Sequence, residues 1–507
     1  MRIAVTLCVV VALCAPGAVA AAPSGQITWG VHVTIAPTWF DPAETPGIVT
    51  PFMLLYALHD GLVKPMPGHA MAPSLAESWT ASKDGLSYEF VLRKGVKFHD
   101  GSPVTVDDVK FSFERYRGTS AKALKDRVAR VETPDASHVR FVLKQPWPDF
   151  MTFYGTSASG AAYVVPKKYV EKVGEDGFRK APIGAGPYKF VSFQPGVELV
   201  LEAFEGYWRK TPSVKRLVFR SIPDETTRAA ALKKGDVDVV YFINGPVAED
   251  VRRTPGLSLV PTRTNGVLWI EFPEQWTAGS PWADRRVRLA ASHAIDRQAI
   301  NQAESLGFSG PTGNVVPRHQ EFALPIEPHA YDPKRAKALL TEAGYPNGFD
   351  AGEFTPYPPY TSMGEAIVGY LGAAGIKLRV RTMERAAFLS AYRDKKLKGV
   401  FVGATGSAGN ASTRIESIAT SRGTVAYGVL PDVEGLFQKQ INEMDRKKRE
   451  DMLHQIQRIL HDRVVFAPIW EDGFIRASGP RVEESGLLLI PSFPYSAPLE
   501  DVRLKKQ

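Results

Sequence analysis

Cysteine is almost absent from this chain. Of 507 residues only Cys8 and Cys14 are cysteines. Both stand in an N-terminal stretch built for removal, so the mature protein can form no disulfide and must draw its stability from core burial. That stretch reads Arg2, an apolar run from Ile3 to Leu13, Pro16-Gly17 and then Ala18-Val19-Ala20, the charged start, hydrophobic middle and small-residue exit of a secretory signal peptide. Residues 1–20 are expected to be the signal, with cleavage after Ala20. Lipid attachment at Cys14 is disfavoured, because Leu13 is larger than the residue such sites want. No later segment reaches the roughly 18 consecutive apolar residues that cross a bilayer. Long runs of one charge are missing as well. The net charge is +8, from 62 Lys and Arg against 54 Asp and Glu, but the two signs interleave apart from short clusters such as Arg446 to Arg449 and Lys505-Lys506. That pattern is a solvated surface and excludes a nucleic-acid partner.

Catalytic and cofactor signatures are equally scarce. There is no Gly-x-x-x-x-Gly-Lys-Ser/Thr loop, so any ATP hydrolysis belongs to a partner. Gly155-Thr156-Ser157-Ala158-Ser159 has the outline of a serine-hydrolase elbow but ends in serine where glycine should stand. His454 and His461, seven apart on a predicted helix, could share a face, yet no third metal ligand is near them in sequence. Gly403, Gly406 and Gly409 lack the spacing and strand-to-helix context of a dinucleotide fingerprint. The chain is therefore expected to be no enzyme, with no cofactor and no resident metal.

What is present is a series of well-punctuated α/β blocks. The run from Leu75 to Tyr116, LAESWTASKDGLSYEFVLRKGVKFHDGSPVTVDDVKFSFERY, predicts a strand with Tyr88, Phe90 and Leu92 on its buried face, a turn at His99-Asp100-Gly101, and a helix opened by Thr105 with Asp108 three residues on. Ile27 to Glu44 and Met53 to Val63 read as a strand, a turn at Asp41-Pro42 and a helix ending near Gly61. IGAGPYKFVSF, from Ile183 to Phe193, leads into Phe204-Glu205-Gly206-Tyr207-Trp208. From Val214 to Phe242 a strand, a helix opened by Pro223-Asp224 and closed by Gly235, and a returning strand with Val237, Val239 and Tyr241 form a strand-helix-strand unit. Val287 to Ile300 and Tyr331 to Asp350 add helices, the second capped by Asp332 and ended by Gly344.

These blocks resemble the extracellular solute-binding proteins, family 5, of the peptide, opine and nickel importers. The resemblance implies an α/β, two-lobed periplasmic-binding-protein fold (type II, peptide-binding subgroup) with an extra domain inserted in lobe one. Carried onto this chain, lobe one comprises residues 21–62, 186–270 and 476–507, the inserted domain 63–185, and lobe two 271–475. No heptad or broad apolar helix face suggests assembly, so a monomer is expected, and the resemblance implies that in the periplasm it captures a peptide or related small polar solute by lobe closure, hinged near Asn265 and Phe474. It would deliver that solute to an inner-membrane ABC permease and ATPase complex. A metal could arrive already chelated. Another class of function, a periplasmic chaperone or solute sensor, would use the same cleft.

The resemblance places three segments on that cleft: Thr34, Trp39 and Phe40 after the first strand; Arg263, Asn265 and Trp269 at the crossing between lobes; and Gly399 to Arg414, with Thr405, Ser407, Asn410 and Arg414. Trp39, Trp269 and Trp470 are candidate stacking plates, since indole offers a broad face with a polar N–H, and Arg263 or Arg414 could fork onto an acidic group. One departure stands out. Dipeptide-binding relatives carry an Asp-bearing loop for the ligand's α-ammonium, whereas here no acid lies between Gly399 and Ile415. Where those relatives have Arg-Pro-Tyr for the carboxylate, this chain has Thr355-Pro356-Tyr357. An ion buried without its partner costs several kcal/mol, so simple dipeptides are disfavoured.

Overall fold

The computed structural model describes residues 22–45, 49–358, 360–405, 409–490 and 492–506. The expected signal, with both cysteines, lies outside them. The Leu75–Tyr116 run folds as its pattern predicts. Tyr88, Phe90 and Leu92 are buried at alternate positions of the strand Ser87–Leu92. Thr105 and Asp108 form a reciprocal capping box at the start of the helix Val106–Arg115, the Asp108 carboxylate accepting the Thr105 N–H at 2.9 Å. Strands Ala76–Ala81, Ser87–Leu92, His138–Leu143 and Val128–Glu132 pair in that order into an antiparallel sheet. It has a core of its own around Phe90, Phe113, Phe141 and Tyr154, with Phe113 edge-on to Phe141 at 5.1 Å.

The rest of the chain is organised on one large mixed sheet. The strands of its continuous path, numbered along the chain, are β1 (Ser24–Val31), β2 (Tyr188–Gln194), β3 (Glu198–Ala203), β4 (Val214–Ser221), β5 (Val239–Val240), β6 (Ser258–Glu271), β7 (Phe349–Thr355), β8 (Ile376–Val380), β9 (Val400–Thr405) and β10 (Phe466–Ser478), with the short strand Gly310–Pro311 pairing with β10 off this path. They lie side by side in the order β8-β7-β9-β6-β10-β5-β1-β4-β3-β2. Between β4 and β5 runs the helix Glu225–Lys234, whose cap Asp224 accepts the Thr227 N–H at 2.7 Å and whose C-terminus is closed by Gly235 at φ +82°. The returning strand is shorter than its alternation suggested. Only Val239–Val240 enters the ladder, while Tyr241 and Ile243 beyond it still donate their N–H groups to Gly30 and Ile475 of the two flanking strands. The helix Pro333–Glu342 is capped by Asp332 and buries Ala336, Leu339 and Leu340.

β6 and β10 are the longest strands of the sheet, and they run antiparallel from Ser258 opposite Ser478 to Glu271 opposite Phe466. Their first half is flanked by β5 and the other half by β9. Between the halves the register breaks: Arg263 faces Gly473 and Val267 faces Glu471. Three residues of β6, Thr264 to Gly266, therefore oppose the single residue Asp472, a bulge of the kind that bends a strand and re-aims side chains.

A second connection joins the small-sheet unit to the helix Arg446–Asp462. Asp149 forms an ion pair with Arg449, their side chains only 2% and 4% exposed. Asn410 Nδ2 donates to the same carboxylate at 2.7 Å, and Arg449 Nε donates to Gln440 Oε1 at 3.0 Å. Removing one partner of such a pair strands the other charge. Arg449→Met is expected to lower stability by about 3–5 kcal/mol in urea unfolding, and adding Asp149→Asn to recover part of that loss. A loss below about 1 kcal/mol, the range of exposed pairs, would show that water reaches the pair.

Candidate functional site

The β6/β10 bulge forms part of the wall of a cavity of about 1520 Å³. One side is built from His32 beyond the end of β1, from Phe242 after β5, and from Ser492 to Ser496. Another comes from Tyr357, Tyr360 and Arg385. A third comes from Tyr116 to Arg127, Lys144 to Trp147 and the helix Ala411–Ala419. The space exceeds the roughly 300–1,000 Å³ of common small-molecule sites.

Around the bulge the wall is aromatic. His32 stacks on Tyr495 at 5.7 Å, Phe474 lies 5.3 Å from Tyr495 and 5.2 Å from Phe242, and Tyr360 stands edge-on to Phe242 at 5.7 Å. Among these rings sits the Asp472 carboxylate, whose Oδ1 accepts from the Tyr360 hydroxyl at 2.8 Å. Burial pushes its pKa up to about 6, against the pull of hydrogen bonds from Tyr360 and Thr264. Burial, aided by Arg228 and Arg385, holds His32 well below the usual imidazole range, so the ring is neutral at pH 7. Its Nε2 lies 3.0 Å from the Tyr495 hydroxyl, while its buried Nδ1 has no hydrogen-bond partner among the described residues.

The remaining wall is basic. In all, eight Lys or Arg line the cavity against three Asp or Glu. Some are engaged: Arg127 packs over Trp147 at 4.5 Å and reaches Glu416 at 3.8 Å, and Lys122 pairs with Asp126 at 2.5 Å. Arg385 makes no ion pair among the described residues, and its guanidinium stands 6.0 Å from the Tyr357 ring.

Of the side chains expected on the cleft, the fold brings Asn265 and Tyr357 to the cavity wall. Asn265 Oδ1 accepts from His319 Nε2 at 2.6 Å, and Tyr357 stands edge-on to Phe388 at 5.2 Å. The others lie elsewhere. Phe40 is core, packed edge-on to Phe193 at 5.0 Å, while Trp39 is half-buried against the same core and Thr34 is exposed away from the cavity. Trp269 and Trp470 are fully buried in two different cores of the large sheet, because helices cover both faces at those positions. Trp269 Nε1 donates to Glu271 Oε2 at 2.7 Å. Arg263 is exposed, with its guanidinium against Gly310. Asn410 is the N-cap of the helix Ala411–Ala419 and holds Asp149. Arg414 is fully buried and donates to the Asn265 carbonyl, so it supports the bulge from behind. Thr405 pairs through its backbone with Val267, its side chain being outside the described residues, as is Ser407 altogether. Thr355 is buried at the end of β7, off the cavity.

The aromatic box, Asp472 and Arg385 were not anticipated as site residues. One local signal points to part of it: Glu471-Asp472 directly follows the apolar run Phe466 to Trp470, and acids in a buried strand require a reason. Elsewhere, His461 stacks on His329 at 4.5 Å, and no group of three metal-binding side chains occurs among the described residues. Ser157 Oγ lies 3.5 Å from Ser496 Oγ.

Asp472 predicts a pH dependence. Its pKa is raised on folding, so between about pH 4 and 6 the folded state keeps a proton that the unfolded state releases, and stability falls as pH rises through that window. The groups around it, Tyr360, Tyr357 and Tyr495, are pushed up by burial and stay neutral there. Asp472→Asn is expected to stabilise the unliganded protein at pH 7.5 by up to about 3 kcal/mol, the gain vanishing below about pH 4. Thermal unfolding across pH tests this, and a destabilised variant at pH 7.5 would contradict it.

Comparison with known proteins gives this geometry its context. The chain is 29% identical over 445 residues to the heme-binding protein A of Haemophilus influenzae, covering 81% of each protein. It is 28% identical over 428 residues to the dipeptide-binding protein of Escherichia coli K12, covering 77% of this chain and 79% of that one. The structure of the ABC transporter-associated periplasmic binding protein DppA from Helicobacter pylori in complex with peptide STSA matches with a TM-score of 0.80 at 23% identity, over 96% of this chain and 99% of that one. The fold is thus the two-lobed one of periplasmic peptide-binding proteins. Among the described residues no helix is long and apolar enough to cross a membrane. Residues 70–425 match the model of the bacterial extracellular solute-binding proteins, family 5, and the chain belongs to that family of substrate-binding proteins, which are not enzymes.

Proposed function

We propose that this chain is the periplasmic substrate-binding component of an ABC importer, exported by cleavage after Ala20, monomeric, and handing its solute to an inner-membrane permease and ATPase complex. The observation that carries this reading is the position of the cavity astride the β6/β10 register break. A cavity walled by both halves of the sheet is closed by bending at Thr264–Gly266 and Asp472, and a ligand that touches both halves favours the closed form by its differential affinity. In this reading residues 63–185 are a domain inserted in lobe one, and residues 271–475 are lobe two.

The ligand is a peptide or a related small polar solute larger than a dipeptide. Two residues span about 7 Å when extended, too short to bridge a cavity of this size, and Thr355 stands where an arginine for the peptide carboxylate is expected. Loss of a charge-assisted contact of that kind costs about 2–5 kcal/mol, enough to move a micromolar ligand towards millimolar affinity. Calorimetry with a dipeptide panel is expected to give no micromolar binder.

Native mass spectrometry of protein purified from the periplasm should reveal the co-purified solute. Adding that solute to solute-free protein should reduce the radius of gyration in small-angle scattering. The loaded protein should also stimulate the ATPase of its transporter in proteoliposomes. Solute binding without compaction would reject lobe closure, and aggregation suppression without ligand selectivity would instead identify a chaperone.

A further inference from the structure

We infer that the bulge face of the cavity is an ammonium-binding subsite, in which the Asp472 carboxylate and the rings of His32, Phe242, Tyr360, Phe474 and Tyr495 hold the free amino group of a peptide-like solute. This deepens the solute-binding reading above and rests on it. The first observation is the carboxylate itself. Among the described residues no Lys, Arg or His forms an ion pair with Asp472, although the cavity as a whole has an excess of cations. A carboxylate enclosed by aromatic side chains with only neutral donors around it is costly to keep, and a cation from outside offsets that cost.

The second observation is the enclosure. Rings with centroids 5.2–5.7 Å apart share this part of the wall with the carboxylate, and aromatic faces, unlike edges, attract a cation while giving a neutral group no comparable stabilisation. His32 is neutral, so it does not repel such a cation, and its unpartnered Nδ1 is a polar atom left for the ligand. The third observation is the contrast with the rest of the wall. With the basic residues of Tyr116–Arg127 and Lys144 elsewhere on the cavity, and Arg385 close enough to His32 and Tyr495 to act on both, an amine at Asp472 leaves the acidic groups of the same solute facing positive charge, which selects zwitterionic and acidic peptides over basic ones.

The position explains how this chain meets an amino group with no acid between Gly399 and Ile415. The negative charge comes from the crossing strand instead, at the one residue that opposes the three-residue bulge. Weak dipeptide binding then follows from ligand length and from the carboxylate end alone.

The probe is a synthetic pool of lysine-free tri- to pentapeptides, some bearing Asp or Glu, offered with free and with N-acetylated amino termini to solute-stripped protein and read by native mass spectrometry. Wild type is expected to retain the free-amine peptides at least about tenfold over their acetylated counterparts. Asp472→Asn, checked for intact folding by thermal melting, should bring that ratio near one, and Phe242→Leu, which keeps the charge and removes a ring, should reduce it. Equal retention of both forms by wild type, or an unchanged preference in Asp472→Asn, overturns the subsite and leaves the importer reading in place. Retention of neither form rejects the peptide reading and the subsite with it.

Discussion

The pairing of β6 with β10 is the constraint on which the rest of this structure hangs. Backbone N–H and C=O groups inside a protein must be paired, and the register break leaves several without ladder partners. The fold supplies them from side chains. The Gly266 N–H is taken by Thr264 Oγ1 at 2.8 Å, the Gly473 N–H by Ser309 Oγ at 2.9 Å, and the Asn265 carbonyl by Arg414. Gly473 itself has no alternative, since a Cβ there would lie 2.5 Å from the backbone of Phe308 and Ser309. A break held in this way is a defined bend, and a defined bend between two halves of one sheet is what a closing cleft requires.

The treatment of buried charge points to the same place. Arg228, Arg288, Arg297 and Arg476 are all buried, and each is met by backbone carbonyls: Arg297 by Pro468 at 2.7 Å and Ser292 at 2.9 Å, Arg288 by Trp282 at 2.6 Å and Val464 at 2.9 Å. These cations brace the frame. Asp149 is likewise met by Arg449 and Asn410. Asp472 has no such cation, and it faces the cavity. The buried Glu271 also lacks an ion pair among the described residues, but it does not line the cavity; stability given up at a group that does is typical of a position kept for binding.

Local features were legible in the chain because their physics is local. The capping pair Thr105 and Asp108, the cap and stop at Asp224 and Gly235, and Asp332 ahead of Pro333 each depend on residues within one or two turns of helix. The alternation of Tyr88, Phe90 and Leu92 required only that one face of a strand be covered. The tryptophans were not legible in this way. An indole at Trp269 or Trp470 has the same broad face whether it plates a ligand or fills a core, and the choice was made by helices that arrive from distant parts of the chain. Asn410 and Arg414 show the same ambiguity for polar groups: one became a helix cap and the other a brace for a carbonyl.

Sequence by itself thus determined the family, the α/β class, and the caps and turns, since each follows from neighbouring residues or from composition. Only the tertiary structure decided where the cavity lies and which charge faces it. His32, Phe242, Tyr360, Asp472 and Tyr495 span more than 460 residues of chain, and no spacing along the sequence relates them. They meet because two long strands cross and slip register by two residues. Such a meeting is a property of packing, in which burial and satisfied hydrogen bonds over the whole sheet outweigh any local preference.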